Sequence, residues 1–317
     1  MSFTYEEFAQ ILDNHLREKQ IERVLKALAE TPQRFTGEFR PSTPREKLIQ
    51  YIIQSREIKF GDACEEVISE ILSKSGYFEL PKVLESDSGD KLECDLLFES
   101  PDHLSVLLVE QKMRDDHDST KRAGQFSNFE QKIRACCSRY DKHDIHAIMY
   151  FVDPSQTKNK KYYDKECSEL KASLPSNTTL SVLYGKEFFD HLTNCISPPC
   201  IDWATLVGWL KQWKSTARSD ALQLVELEKQ ENLQKLIEIA NAHPELISKI
   251  ARNQLLWTES LIRGLFPTGN GLRKICESLR QAGENSEHSA RALKELEQSI
   301  SRFYVNQEGT DNDRATP

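Results

Sequence analysis

Asp95, Glu110 and Lys112 are the residues of this 317-residue chain whose types and spacing can do chemistry together. They fall in two stretches, Lys91–Phe98 (KLECDLLF) and Leu107–Lys112 (LLVEQK), separated by a turn signal at Ser100-Pro101-Asp102. Folded about that turn, residues whose numbers sum to about 203 to 205 face one another. Asp95 then lies opposite Leu108 to Glu110. Glu110 and Lys112 are two apart and point to the same face of a strand. Glu110 follows a run in which Leu104, Val106, Leu107, Leu108 and Val109 are apolar and Ser105 is the exception. Charged groups at the end of so apolar a strand are costly unless they pair or bind a metal. Two carboxylates suit Mg²⁺, a hard cation that takes oxygen ligands. Such an ion contacts a phosphate oxygen and lowers the pKa of a bound water. The backbone carbonyl of Gln111, between the two side chains, is a further candidate ligand. Lys112 can stabilise charge on a phosphorane-like transition state, or orient or help deprotonate the attacking water. The pattern therefore reads as a centre for phosphoryl transfer. The competing reading is a strand end emerging into solvent.

The elements that must hold these residues can be read from hydrophobic period. Phe8, Ile11, Leu12 and Leu16, then Ile21, Val24, Leu25 and Leu28, recur at helical spacing. Residues 31–44 hold three prolines and a glycine and read as a loop; a helix from Pro44 to Ile53 follows, and another from Phe60 to Ser73. Strands are expected at Lys91–Phe98, Leu104–Val109, Ile145–Val152 and Thr179–Tyr184, with helices over Phe126–Tyr140, Tyr163–Ala172 and Lys186–Leu192 between and after them. Residues 114–128 read as a polar loop. Helices alternating with strands predict an α/β core. From Ile201 onward only helices are expected: Trp203–Trp213, Ala221–Ala242, Pro244–Leu265 and Gly271–Tyr304. Trp203, Trp209 and Trp213, accompanied by Leu206, Val207 and Leu210, read as core or interface.

Composition narrows the class. Hydrophobic residues make up 38% and charged residues 29%, and no apolar run approaches the roughly 18 residues that span a bilayer. The first residues, MSFTYEEFAQ, are acidic where a signal peptide needs positive charge, so a cytoplasmic protein is expected, with no membrane partner. Eight cysteines without a C-x-x-C pair fit a reducing compartment and argue against structural zinc. A net charge of −8 speaks against indiscriminate coating of nucleic acid, but a cleft depends on its local charge.

The arrangement Asp95-x14-Glu110-Gln111-Lys112 across a strand hairpin resembles the PD-(D/E)-x-K nuclease superfamily, which includes most type II restriction endonucleases. Cys94 stands where the motif usually has proline. The order of elements over residues 60–190 is also similar to the superfamily core. The resemblance implies a restriction-endonuclease-like fold: a mixed β-sheet flanked by helices, here with helical regions at both ends. It implies Mg²⁺-dependent hydrolysis of double-stranded DNA, with Asp95, Glu110 and Gln111 as metal ligands and Lys112 as the third catalytic residue. Glu65 reads either as an accessory ligand on the preceding helix or as an ordinary charge on a polar face.

Residues 111–142 hold eight basic and five acidic residues, against the acidic whole. Arg114, Lys121 and Arg122 are candidate phosphate contacts, and Gln125 and Asn128 candidates for the scissile strand or a base edge. Lys158–Lys165 is a second basic stretch. The expected domains are a helical region over 1–58, the nuclease core over 59–200, a helical region for DNA recognition or dimerisation over 201–305, and a disordered tail over 306–317. Cutting both strands of a symmetric site predicts a homodimer, and restriction predicts a cognate methyltransferase as a separate protein. Two other readings stay open: a repair nuclease without sequence specificity, and a non-catalytic helical DNA-binding or interaction protein. No G-x-x-x-x-G-K-[ST] loop is present, which argues against a motor in this chain.

Overall fold

Strand-forming runs that are apolar on both faces must be covered on both faces, and this requirement organises the sheet. In a computed structural model that describes residues 2–37, 39–86, 88–216, 227–284 and 286–304, seven strands form. They are β1 (Phe78–Glu79), β2 (Val83–Glu85), β3 (Lys91–Glu93), β4 (Leu96–Glu99), β5 (Ser105–Lys112), β6 (Asp144–Phe151) and β7 (Thr178–Tyr184). Five make a mixed sheet in the order β1-β4-β5-β6-β7, and β2 and β3 make a separate antiparallel pair. β4 runs antiparallel to β5, while β5, β6 and β7 run parallel. Helix α5 (Ser119–Arg139) joins β5 to β6, and α6 (Lys160–Lys171) joins β6 to β7. This is the α/β, restriction-endonuclease-like architecture expected from the sequence, with helices before and after the sheet.

Alternate residues of β5 face opposite sides. Val106 and Leu108 join Phe126, Phe129 and Ile133 of α5 and Tyr163 and Cys167 of α6 in one buried cluster. On the other face, Tyr150 of β6 stacks on Phe188 of α7 (Lys186–Cys195). The Gln111 amide reaches the carbonyl of Gly61 there. Gly61 lies on α4 (Pro44–Lys74).

Five sequence expectations need correction. The strand read over Lys91–Phe98 is two strands: the chain leaves its pairing with β2 at Cys94 and enters the main sheet at Leu96. Asp95 sits in the break. The two helices read over Pro44–Ile53 and Phe60–Ser73 are one helix of 31 residues, because the segment between them contains no proline or glycine to stop it. The loop read over 114–128 is short. Asp118 accepts a hydrogen bond from the Lys121 N–H and starts α5 at Ser119, so the polar residues that follow cover a helix face. Toward the C-terminus, Pro244–Leu265 divides into α10 (Pro244–Arg252), a 3₁₀ turn and a π-turn. Gly271–Tyr304 divides into α11 (Asn270–Gly283) and α12 (Glu287–Tyr304). Of the helix read over Ala221–Ala242, α9 (Gln230–Ala242) forms, and residues 221–226 lie outside the described residues, as does the tail over 306–317.

The described residues group into two units. One takes residues 1–13 and 60–216 and holds the sheet. In it Trp209 of α8 (Trp203–Thr216) packs on Phe3, Tyr5 and Phe8, and the Trp213 indole donates to Asp13 Oδ1 at 3.1 Å. Trp209 and Trp213 therefore pack within this unit against α1 (Tyr5–Asp13) and Phe3, and Trp203 packs on Phe189. The other unit takes residues 14–59 and 217–317. Ile21, Val24, Leu25 and Leu28 on α2 (Gln20–Glu30) and Leu48 and Ile52 of α4 share its apolar core with α9 to α12. No helix among the described residues is long and apolar enough to cross a membrane.

Candidate active site

The register of the central hairpin places the charged residues. Leu96 pairs with Val109 and Leu97 with Leu108, so Asp95, one step outside the ladder, falls beside Glu110. Because the chain turns away at Cys94, the Asp95 side chain takes over as acceptor: Oδ2 receives the Gln111 N–H at 2.7 Å. Glu110 continues the Val106–Leu108 face and is 5% exposed.

Lys112 gathers the group. Its Nζ lies 3.1 Å from Asp95 Oδ2, 2.8 Å from Glu110 Oε1 and 2.9 Å from the Gln111 carbonyl oxygen. The three oxygens named as candidate metal ligands thus converge on one positive charge. The other carboxylate oxygen of Glu110 is held at 2.6 Å by Lys132, a buried residue of α5. Two carboxylates and two ammonium groups balance in charge, which is what allows them to be buried together.

The electrostatics follow from this crowding. Burial, then the charge of Glu110, pushes the Asp95 carboxyl above its ordinary pKa. Burial works against the charged form of Lys112, but the carboxylates of Glu110 and Asp95 outweigh it and hold the ammonium above its ordinary value. Glu65, on α4, is also raised, by burial and by the nearby Asp95 charge, while its bond to Lys82 at 3.2 Å opposes the shift.

The donor set fits a hard divalent cation. All three donors are oxygens, and their convergence on a positive group is already built. Among the described residues no three His, Cys, Asp or Glu side chains gather as a metal cluster, because the third oxygen here belongs to the main chain. His143 and His146 do not pair with each other: His143 Nε2 lies 3.4 Å from Glu99, and His146 bonds His191.

The candidate DNA contacts separate. Arg114 is exposed on the short loop after β5, and Lys121 and Asn128 are exposed on α5. Arg122 is engaged within the protein: its guanidinium donates to Asn159 Oδ1 at 2.8 Å and lies 4.3 Å from the Tyr162 ring centre. Gln125 Oε1 accepts from the Tyr163 hydroxyl at 3.2 Å.

Two features escaped the sequence reading. Lys132 is one; its signal was present, since it stands three residues after Phe129 and beside Ile133, on the apolar stripe of α5. The other is Asp115, fully buried in the loop after β5. Its Oδ2 accepts from the Asn159 N–H at 2.8 Å and from the Tyr184 hydroxyl at 2.9 Å, and its Oδ1 accepts from the Asn159 side-chain amide at 2.8 Å. Nothing local marks Asp115, because its partners lie 44 and 69 residues away.

Residues 79–197 match the family model described as type II restriction endonuclease, HinfI. No curated protein and no solved structure matches the chain. The matched segment takes in the hairpin, α5, α6 and the sheet from β4 to β7. It agrees with the resemblance read from Asp95, Glu110 and Lys112: this segment is similar to DNA-cleaving hydrolases of the restriction-endonuclease kind, enzymes that generally work with a divalent metal ion.

Proposed function

We propose that this chain, with a restriction-endonuclease domain over residues 79–197, is a type II site-specific endonuclease that hydrolyses double-stranded DNA with Mg²⁺. The observation that carries the reading is the convergence of Asp95 Oδ2, Glu110 Oε1 and the Gln111 carbonyl on one positive point, within 3.1 Å of the Lys112 nitrogen. These three oxygens would hold the ion, which supplies a Lewis acid for the scissile phosphate and a water of lowered pKa. Glu110 keeps a fixed orientation because Lys132 holds its second oxygen. Lys112, freed from the carboxylates, has the reach to orient the attacking water and to stabilise negative charge on the phosphate oxygens. Arg114, Lys121 and Asn128, exposed near this end of the sheet, are our candidates for contacts to DNA, and Glu65 is a candidate accessory ligand. Arg122 and Gln125 would contribute by fixing α5 against α6, unless DNA draws them from Asn159 and Tyr163.

The same reading extends to assembly and context. One centre per chain and two strands to cut favour a homodimer on a symmetric site. A cytoplasmic restriction-modification system, with a methyltransferase as a separate protein, would protect the host DNA; eight free thiols suit that compartment.

The test is digestion of plasmid and phage DNA by the purified protein, with Mg²⁺ or with chelator. Discrete, reproducible fragments that need Mg²⁺ are expected. A metal-dependent smear would replace site specificity with general nuclease action, and no cleavage of several unmodified DNAs would return the hairpin to a plain strand end. Sedimentation as a monomer on cognate DNA would remove the dimer.

A further inference from the structure

The helical unit of residues 14–59 and 217–317 contains a cavity of about 460 Å³ along the first half of α4. Arg34 and Arg40, from the segment before the helix, and Lys47, Gln50, Gln54 and Lys59, from the helix itself, line it. Four of these side chains are cationic, and among the described residues no carboxylate lines the cavity. That is a marked local excess in a chain of net charge −8.

Three of the cations, Arg34, Arg40 and Lys47, are held in place without being neutralised by the partners they show. The Arg34 guanidinium lies over the Tyr51 ring at 5.4 Å, Arg40 donates to the Arg34 carbonyl oxygen, and Lys47 Nζ donates to Gln50 Oε1 at 2.7 Å. Each of these contacts leaves the positive charge uncompensated and its side chain oriented. Lys47 and Lys59 are twelve residues apart on one helix, so about 18 Å separates their backbones at 1.5 Å per residue. Basic and amide side chains spread over that length match a run of phosphates better than one anion; at about 3.4 Å per base step, the span covers roughly five steps. Gln50 and Gln54, one turn apart on the same face, add amide donors and acceptors along the run.

We infer that this groove binds the phosphate backbone of duplex DNA and is a second contact surface of the enzyme, on the unit that does not carry Asp95, Glu110 and Lys112. The inference rests on the proposed function, and it supplies what an acidic DNA-cutting chain requires: a local basic stripe where affinity can come from counterion release.

The experiment measures equilibrium binding of the full-length protein to a duplex that the wild type cuts, in chelator, over a range of salt. The triple variant Arg34→Ala/Arg40→Ala/Lys47→Ala is expected to lose at least about tenfold in affinity, and its log K against log [salt] slope should shrink by about 0.9 per phosphate contact removed. Gln54→Lys, an exposed substitution that adds a charge to the stripe, is expected to tighten binding and steepen the slope, and it stands as the readout if the triple variant fails to fold. If the wild type cuts DNA with Mg²⁺ while both variants bind with unchanged affinity and slope, the groove is not a DNA surface and the enzymatic reading stands. If wild-type thermal stability rises with millimolar inorganic phosphate while the DNA slopes of the variants stay unchanged, the groove is a free-phosphate site and the inference is overturned. A wild type that neither binds nor cuts any duplex overturns both readings together.

Discussion

Lys132 Nζ lies 2.6 Å from Glu110 Oε2, and both residues are 5% exposed. Each compensates for the solvation the other has lost, so removing one leaves a buried charge unmatched. Lys132→Met is expected to destabilise the protein by about 3–5 kcal/mol, read as a lower urea midpoint at unchanged slope. Adding Glu110→Gln to it should recover much of that loss. A single variant with the wild-type midpoint would show that Glu110 does not depend on Lys132.

Lys112 and Asp95 should separate cutting from binding. Asp95→Asn keeps an oxygen for the Gln111 N–H, and Lys112→Ala removes the ammonium on which three oxygens converge. Both are expected to lower the single-turnover cleavage rate by at least about a hundredfold while DNA affinity in chelator is retained. Wild-type cleavage by either variant would move the centre elsewhere.

Tyr184→Phe probes the fastening of the loop after β5. The tyrosine hydroxyl is one of the donors to the buried Asp115 carboxylate, and hydrogen bonds to charged groups contribute about 1.5–3 kcal/mol. The expected result is a stability loss in that range and faster amide exchange over residues 113–118. Unchanged exchange there would show that the loop is secured without the Tyr184 hydroxyl.

Stability should fall on the acid side of neutrality because of His146 and His191. Burial lowers the pKa of both, and the charge of His146 lowers that of His191 further. Their folded pKa values lie below the unfolded value of about 6.5, so below that pH the unfolded chain binds more protons than the native one. The stability they allow is complete above about pH 6.5 and is lost as pH falls through the depressed folded values. Urea midpoints at successive pH values below 7.5 should decline more steeply for the wild type than for His191→Gln. Parallel curves would exclude the pair.

Much of the site could be read from the sequence because it is local. Asp95, Glu110 and Lys112 lie on one hairpin whose register follows from alternation and a turn, and the observed sum of paired numbers, 96 and 109 giving 205, falls within the expected range. Helix α5 could not be bounded that way. Its first turns are polar because one face meets water, and polarity alone does not separate a helix from a loop. Lys132 was passed over because a lysine on an apolar stripe usually extends its charge to the surface; here a carboxylate from the adjacent strand holds it inside. The division of the N-terminal helices between two units depends on contacts such as Trp213 with Asp13, which join residues 200 positions apart and leave no periodic trace.

The buried Asp115 anchor also bears on translation. Its partners come from the start of α6 and the end of β7, both made after the hairpin and α5. The chain leaves the ribosome N-terminus first. A nascent chain that has reached Lys132 but not Tyr184 therefore carries Asp95, Glu110, Lys112 and Lys132 without the tyrosine that helps to moor the adjoining loop. The loop bearing Arg114 takes its final set only when the last strand of the sheet arrives, so the candidate site's charged residues are synthesised first and the fixing of the loop beside them is completed last.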